Sequence, residues 1–246
     1  QMPQRSRRPP FTLGAPVLEL QDVTLNTYQL TVPDVNLTVR AGEVFGFAGL
    51  EGSGQRLVMQ ACAGLMPPGK GHVRLGGQDV TGWGYHRLQQ HGVGYVAAGR
   101  LEEGLVAGLS LTEHLILARP EKQFFIDWPG NRAAMTERIA TYQIVGQPET
   151  TADALSGGNQ QRLLFALLNT PLKLLLLEHP TRGLDVRSAD YTWQLLYNRR
   201  ADGTAILFIS ADLDEIIAHS DRIAVFSGGR MSRVVDARET TADELG

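Results

Sequence analysis

The sequence predicts an α/β chain: a mixed, largely parallel sheet covered on both faces and interrupted by a helical insertion. Three observations predict it. Residues 42–65, GEVFGFAGLEGSGQRLVMQACAGL, run from a short apolar strand through a glycine loop into a helix. From residue 172 onward, strand and helix patterns alternate to the end. Between residues 110 and 170, by contrast, the apolar spacing is helical and no strand signal interrupts it.

In chain order, VLELQDVTL after Pro16 alternates apolar and polar residues as a half-buried strand does, and NLTVR repeats the pattern from Asn36 to Arg40. GEVFGFAG is a third strand, and Leu57, Met59, Ala61 and Leu65 suit a helix packed on a sheet. GHVRLGG reads as strand and turn, VGYVAAG as strand, and LTEHLILA as a short helix opened by Ser110 or Thr112. NRAAMTERIATYQIV, residues 131–145, has helical spacing that includes Ile139 and Val145. KLLLLE is a strand, Arg187 to Arg200 a helix, TAILFIS a strand, and Asp212 to His219 a helix whose acidic start, DLDEI, suits the helix dipole. RIAVFSGGR and MSRVVDA close the chain as a strand pair.

At 246 residues and 43% hydrophobic, the chain has the material for one sizeable α/β domain with a small subdomain. A net charge of −3 gives no electrostatic case for nucleic acid or an anionic membrane surface. Cys62 is the single cysteine, which rules out an internal disulfide framework and fits a reducing compartment. The longest apolar stretches, LKLLLLE and FALLNTPL, fall far short of the roughly 20 apolar residues a spanning helix needs. Work at a membrane is thus expected to run through partners. Residues 1–16, QMPQRSRRPPFTLGAP, carry Arg5, Arg7 and Arg8 among prolines without an apolar core, so they read as a linker-like segment ahead of a domain spanning residues 17–246.

Candidate chemistry starts at residues 49–56, GLEGSGQR. A phosphate loop turns glycine N–H groups inward, neutralises phosphate with a lysine, and holds Mg²⁺ through the next hydroxyl. Gly49, Gly52 and Gly54 stand where the glycines belong, with Ser53 between them, but Gln55 and Arg56 replace the lysine and the hydroxyl. The cradle of donors is retained while the charge and the metal ligand change. Arg56 can restore part of the charge, one place late and with a planar fork in place of an ammonium.

Downstream, Leu155, Ser156, Gly157, Gly158, Asn159 and Gln160 open LSGGNQQ, and residues 174–185 read LLLLEHPTRGLD. Ser156 suits an N-cap, and the helix that follows directs its positive end at an anion. Together with GLEGSG, these stretches resemble, in order and spacing, the nucleotide-binding domain of ABC transporters from about Val17 onward. LSGGNQQ in particular resembles the importers of sugars and nucleosides, whose ATPase subunit is often two such domains fused in tandem. The resemblance implies a P-loop NTPase core with an antiparallel β subdomain and a helical subdomain, about residues 110–165, that carries the signature. It also implies ATP and Mg²⁺ as ligands, with Tyr28 the nearest candidate for an aromatic stacked on adenine.

The departures from the family pattern form a group. Where the resemblance implies Asp-Glu, the first for Mg²⁺ and the second to polarise water, the chain has Glu178 and His179. Glu178 keeps the charge with its carboxylate one methylene further out, which leaves metal binding open with altered geometry. His179 offers an imidazole base of different shape and charge, and loss of the base is the favoured reading. Ala211 occupies the place of a γ-phosphate-binding histidine, and in VAAGR, residues 96–100, only Arg100 matches the expected loop. Losing the lysine, hydroxyl, base and histidine together points to a degenerate half-site.

In the family, two such domains sandwich two ATP molecules head to tail, each held by one phosphate loop and the other domain's signature. The resemblance therefore implies that this chain, a second and C-terminal domain, completes its partner's ATP site with LSGGNQQ, and that Asp185 sits in the loop crossing between sites. The implied partners are a second nucleotide-binding domain fused N-terminally, transmembrane permease subunits and, through them, a solute-binding protein. The implied location is the inner face of the plasma membrane. Two rivals remain: a self-sufficient ATPase with an unusual site, and an ABC protein without a transporter. His72, His86, His91, His114 and His219 lack metal-ligand spacing, and Trp83 and Tyr85 read as packing under a loop.

Overall fold

The structure is a computed structural model that describes residues 12–119, 124–169 and 171–245. Residues 1–11 of the expected linker lie outside them. The end of that segment belongs to the fold: the Gly14 N–H donates to the Ala41 carbonyl at 2.9 Å, and the Ala41 N–H donates back to Ala15 at 2.9 Å. The chain forms two compact units, one of residues up to 95, 172–179 and 195 onward, the other of 96–171 and 180–194.

The first unit holds two sheets. Strands β1 (Pro16–Asn26), β2 (Thr31–Arg40), β4 (Lys70–Leu75) and β5 (Gln78–Asp79) form an antiparallel sheet in the order β2-β1-β4-β5. Its register keeps Leu18 opposite Val39 and Leu20 opposite Leu37, then shifts before Val23 meets Val35. The shift lies at Asp22, whose φ of 50° is the left-handed conformation of a bulge. One inserted residue moves the inward face from Leu18 and Leu20 to Val23 and Leu25, all of them buried.

The second sheet runs β10-β9-β3-β8-β7-β6, from β10 (Arg230–Met231), β9 (Arg222–Ser227), β3 (Val44–Gly49), β8 (Ala205–Ile209), β7 (Leu174–Glu178) and β6 (Val93–Val96), with β11 (Val235–Asp236) also on β9. Strands β9, β3, β8 and β7 pair in parallel. Every residue of β7 and β8 is buried, as expected of parallel strands covered on both faces. Phe47 packs edge-on against Phe45 and Phe226, with ring centroids 5.8 and 4.9 Å apart, where one apolar cluster joins the two sheets.

Helix α1 (Gln55–Cys62) covers the sheet with Val58, Met59, Ala61 and Cys62. Leu57 packs partly buried against the core, whereas Leu65 is 49% exposed, against expectation, because the helix stops at Cys62 and the chain leaves through Gly64 in left-handed conformation. Burial pushes the Cys62 thiol up to about 12, which makes it inert packing. Helices α2 (Tyr85–Gln90), α7 (Leu213–His219) and α8 (Ala242–Leu245) complete the described elements of this unit, and α6 (Val186–Ala201) passes from one unit to the other.

The second unit is built on α3 (Leu111–Ala118), α4 (Trp128–Thr141) and α5 (Gly157–Leu167), with one π-helical turn at Arg100–Gly104. Ser110 opens α3 through a capping box with Glu113: its hydroxyl accepts from the Glu113 N–H, and its own N–H donates to the Glu113 carboxylate at 2.7 Å. Helix α4 starts before Asn131, because Asp127 caps it and accepts from the Gly130 N–H at 3.0 Å. It ends at Thr141, short of Val145. Among the described residues no helix is long and apolar enough to cross a membrane.

Candidate functional site

In the first unit, β3 delivers the chain into the glycine loop. Gly49 has a φ of 129°, and a Cβ there would lie 2.2 Å from the Phe226 carbonyl oxygen. Gly54, at φ 116°, lies against Val32, which a Cβ would approach to 2.6 Å, whereas a Cβ on Gly52 would meet nothing within 4 Å. Two of these glycines are thus required by the scaffold, and the third faces open space. Ser53 is held by main chain on both sides, its N–H donating to Leu50 at 3.1 Å and its carbonyl accepting from Gly229 at 3.2 Å.

Helix α1 begins at Gly54 with no side-chain cap, so its first N–H groups remain available to an anion. Gln55 stands where the loop's lysine was expected and is 5% exposed. Its amide donates inward, to the carbonyls of Gly49 at 3.1 Å and Leu50 at 2.9 Å, which pins the loop from inside; its Oε1 is buried without a hydrogen-bond partner.

Arg56 turns to the sheet. Its Nε lies 3.1 Å from each carboxylate oxygen of Glu178, the buried last residue of β7, and the Tyr95 hydroxyl donates to the same carboxylate at 2.6 Å. The sequence did not show Tyr95 in this role, since its strand β6 neighbours β7 only through sheet order. The candidate metal carboxylate is therefore already engaged by a guanidinium and a phenol. The residues present do not fit Mg²⁺: where a hydroxyl ligand was expected stands a cation, and no group of three carboxylate, histidine or cysteine side chains gathers among the described residues.

His179 follows in left-handed conformation, φ 47°, with its N–H donating to the Ile209 carbonyl at 2.8 Å. Ala211 is exposed after β8, and neighbouring Ser210 donates to buried Glu215 at 2.5 Å. Asp212 caps α7, accepting from the N–H groups of Asp214 and Glu215 at 2.9 and 3.2 Å. Tyr28 stands fully exposed in the turn between β1 and β2.

In the second unit, the signature is a tightly braced turn. Ser156 takes the N-cap position of α5 but caps nothing: its hydroxyl oxygen accepts from the Asn159 amide at 3.0 Å, so the helix's first N–H groups stay open. Asn159 also accepts from the Val145 N–H at 2.9 Å, and buried Gln160 donates to the carbonyls of Ala152 and Leu155, both at 3.2 Å. Leu155 is itself buried. Thus Leu155, Asn159 and Gln160 hold the turn from within, and Ser156 is the exposed side chain.

The two signature glycines make room for side chains of this same unit. A Cβ on Gly157 would lie 3.3 Å from the Arg100 guanidinium, and one on Gly158 3.0 Å from the Ser188 hydroxyl. Arg100 donates to the Arg182 carbonyl at 2.9 Å. Asp185 accepts from the Ser188 N–H at 3.0 Å and its hydroxyl at 2.8 Å, which holds the Asp185 carboxyl below its usual range.

The histidines fall as solvated or packed groups. His72 sits 2.8 Å from Asp79 on the exposed sheet edge; buried His114 bridges the Ser110 carbonyl at 2.8 Å and the Val106 N–H at 2.9 Å. Trp83 packs on the apolar cluster with the Arg87 guanidinium 3.5 Å over its ring, and burial raises the Tyr85 phenol.

Residues 32–182 match the family described as ABC transporter. The nucleoside import ATP-binding protein NupA of Lactococcus lactis subsp. cremoris is 35% identical over 94% of this chain and 47% of its own length. The guanosine import ATP-binding protein NupO of Bacillus subtilis is 34% identical over 95% of the chain and 48% of its own. The ribose import ATP-binding protein RbsA of Corynebacterium glutamicum is 33% identical over 95% and 45%. The chain spans about half the length of these curated relatives. A nucleotide-free ATP-binding cassette from an ABC transporter superposes with a TM-score of 0.77 at 17% identity, covering 90% of this chain and 91% of that one. A dimeric cassette in a post-hydrolysis state bound to ADP and Pi superposes at 0.74 and 21% identity, covering 91% and 100%. These two likenesses concern the fold.

Proposed function

The chain belongs to the ABC transporter family, and from that premise we propose that it is an ATP-binding domain of an importer for a sugar or nucleoside, the second of two fused in tandem, whose signature completes its partner's ATP site. Relatives named for nucleoside, guanosine and ribose import, each about twice the length of the match, support the substrate class and the tandem arrangement. Permease subunits and a solute-binding protein are the partners this reading requires, at the inner face of the plasma membrane.

One contrast carries the division of labour. The signature turn is braced by its own side chains, with Ser156 exposed and the first N–H groups of α5 uncapped. In the phosphate loop, Gln55 is turned inward onto loop carbonyls, and Arg56, half in solvent, is held on Glu178. A preorganised set of donors stabilises an anion at no reorganisation cost, whereas Gln55 and Arg56 would have to leave the loop carbonyls and Glu178 before they could donate to a phosphate. The domain thus contributes donors to its partner's nucleotide more readily than chemistry to its own. Glu178 and His179 are assigned no catalytic step.

The test is Ser156→Ala or Gly158→Ala in the tandem protein, reading ATP turnover after the other domain's signature has been disabled, so that only the site completed by this chain remains. Loss of turnover is expected. Turnover at the unmodified rate overturns the proposal.

A further inference from the structure

The pair made by Arg56 and Glu178 closes the loop to metal in a specific way. The Glu178 side chain is 2% exposed and that of Arg56 51%, so a solvent-reaching guanidinium stands over a buried carboxylate with Nε equidistant from both oxygens at 3.1 Å. Tyr95 donates to Oε1 at 2.6 Å. A divalent cation on this carboxylate would need a metal–oxygen distance of about 2.0–2.1 Å, which brings like charge against the guanidinium and displaces its bond. The carboxylate needs no metal for neutrality, since the arginine supplies a fixed positive charge that stays protonated at any pH a protein survives.

The loop nevertheless keeps features that suit an anion. The first N–H groups of α1 have no side-chain cap, the space at Gly52 is open, and Arg56 sits in the first turn of the helix with half its side chain in solvent. Resting on the reading of this chain as a nucleotide-binding domain, the geometry points to Arg56 as the resident cation of the loop. It takes the place of a divalent metal by neutralising Glu178, so that the uncapped N–H groups of α1 meet a polyphosphate without a repelling carboxylate behind them and a nucleoside triphosphate binds here without metal.

The probe is a fluorescent ATP analogue titrated into the purified chain in Mg²⁺ and in EDTA. The wild-type dissociation constants are expected to agree within about twofold, while Arg56→Ser, which restores a hydroxyl and frees Glu178, gains about tenfold or more from Mg²⁺. Tightening of wild-type binding by about tenfold in Mg²⁺ overturns the proposal. So does absence of binding in both conditions, and so does a variant indifferent to metal. If Arg56→Ser does not fold, water-proton relaxation with Mn²⁺ and ATP decides on the wild type alone: no enhancement from protein-bound Mn²⁺ supports the arginine as cation, and enhancement overturns it. These readouts are binding to this chain, whereas the signature experiment reads turnover at a site held by its partner, so either reading can fail without the other.

Discussion

Arg100 and Arg182 are joined by a hydrogen bond from the guanidinium of one to the main-chain carbonyl of the other, 2.9 Å long across 82 residues of sequence. The same guanidinium occupies the space left by Gly157 and Gly183, which a Cβ would bring to 3.3 and 3.5 Å from it. One side chain therefore fixes the π turn, the signature and the loop before Asp185 relative to one another within the helical unit. Arg100→Ala is expected to cost about 1 kcal/mol in urea denaturation, the net worth of one such bond at a partly exposed site. It should also speed amide exchange at residues 182–185. Arg100→Lys should recover little, because a point charge cannot fill the planar slot between two glycines. Unchanged exchange in the alanine variant would show that the loop holds itself.

The glycines of the phosphate loop should separate into two kinds. Gly49→Ala places a methyl 2.2 Å from the Phe226 carbonyl oxygen at φ 129°, and neither backbone can yield without parting β3 from β9. A loss of about 2 kcal/mol or more is expected. Gly52→Ala, at φ 84° with nothing within 4 Å, meets only the left-handed strain, about 1 kcal/mol. Equal midpoints for the two variants in chemical denaturation would contradict the assignment of Gly49 to the scaffold and Gly52 to the open mouth.

What could be read from the sequence was local. Of the two residues expected to open α3, Ser110 does so, in a capping box with Glu113 three residues on. The leucine run of β7 and the glycine loop after β3 were likewise visible as patterns within single elements. The choice of Glu178 as partner for Arg56, 122 residues away, was not, because it depends on which strand lies beside the loop. Ser156 shows the opposite limit: its residue type and position predicted a cap, yet its hydroxyl oxygen is taken by Asn159. Competition between two short-range donors, the Asn159 amide and the helix's own N–H groups, for one hydroxyl oxygen is decided by turn geometry that residue type does not encode.

Asp185 gives a dependence on pH. The N–H of Ser188, and then its hydroxyl, hold the carboxyl below its unfolded value near 3.9. A depressed acid contributes stability that is fully present above its unfolded pKa and is lost as pH falls through the folded one. The start of α6 should therefore stay ordered at neutral pH and loosen below about pH 4. Following the Asp185 carboxyl carbon by NMR titration should give a midpoint lower than that of an unfolded-peptide control. Ser188→Ala should raise it, and a midpoint that does not move would assign the shift to some other donor.

The last prediction concerns charge buried in the first unit. Arg200, 3% exposed near the end of α6, donates to the Gly42 carbonyl at 2.9 Å and pairs with Asp221 at 3.1 Å. Asp221 also accepts from the Val44 N–H at 2.9 Å, so one carboxylate ties the helix to the first residue of β3. Arg200→Met fills similar volume but leaves Asp221, only 11% exposed, without its countercharge. Removing one member of a buried pair typically costs about 3–5 kcal/mol, more than the pair contributes when intact, because the remaining charge stays desolvated. Urea denaturation at neutral pH should show that loss. A loss below about 1 kcal/mol would mean that solvent reaches the carboxylate once the arginine is gone.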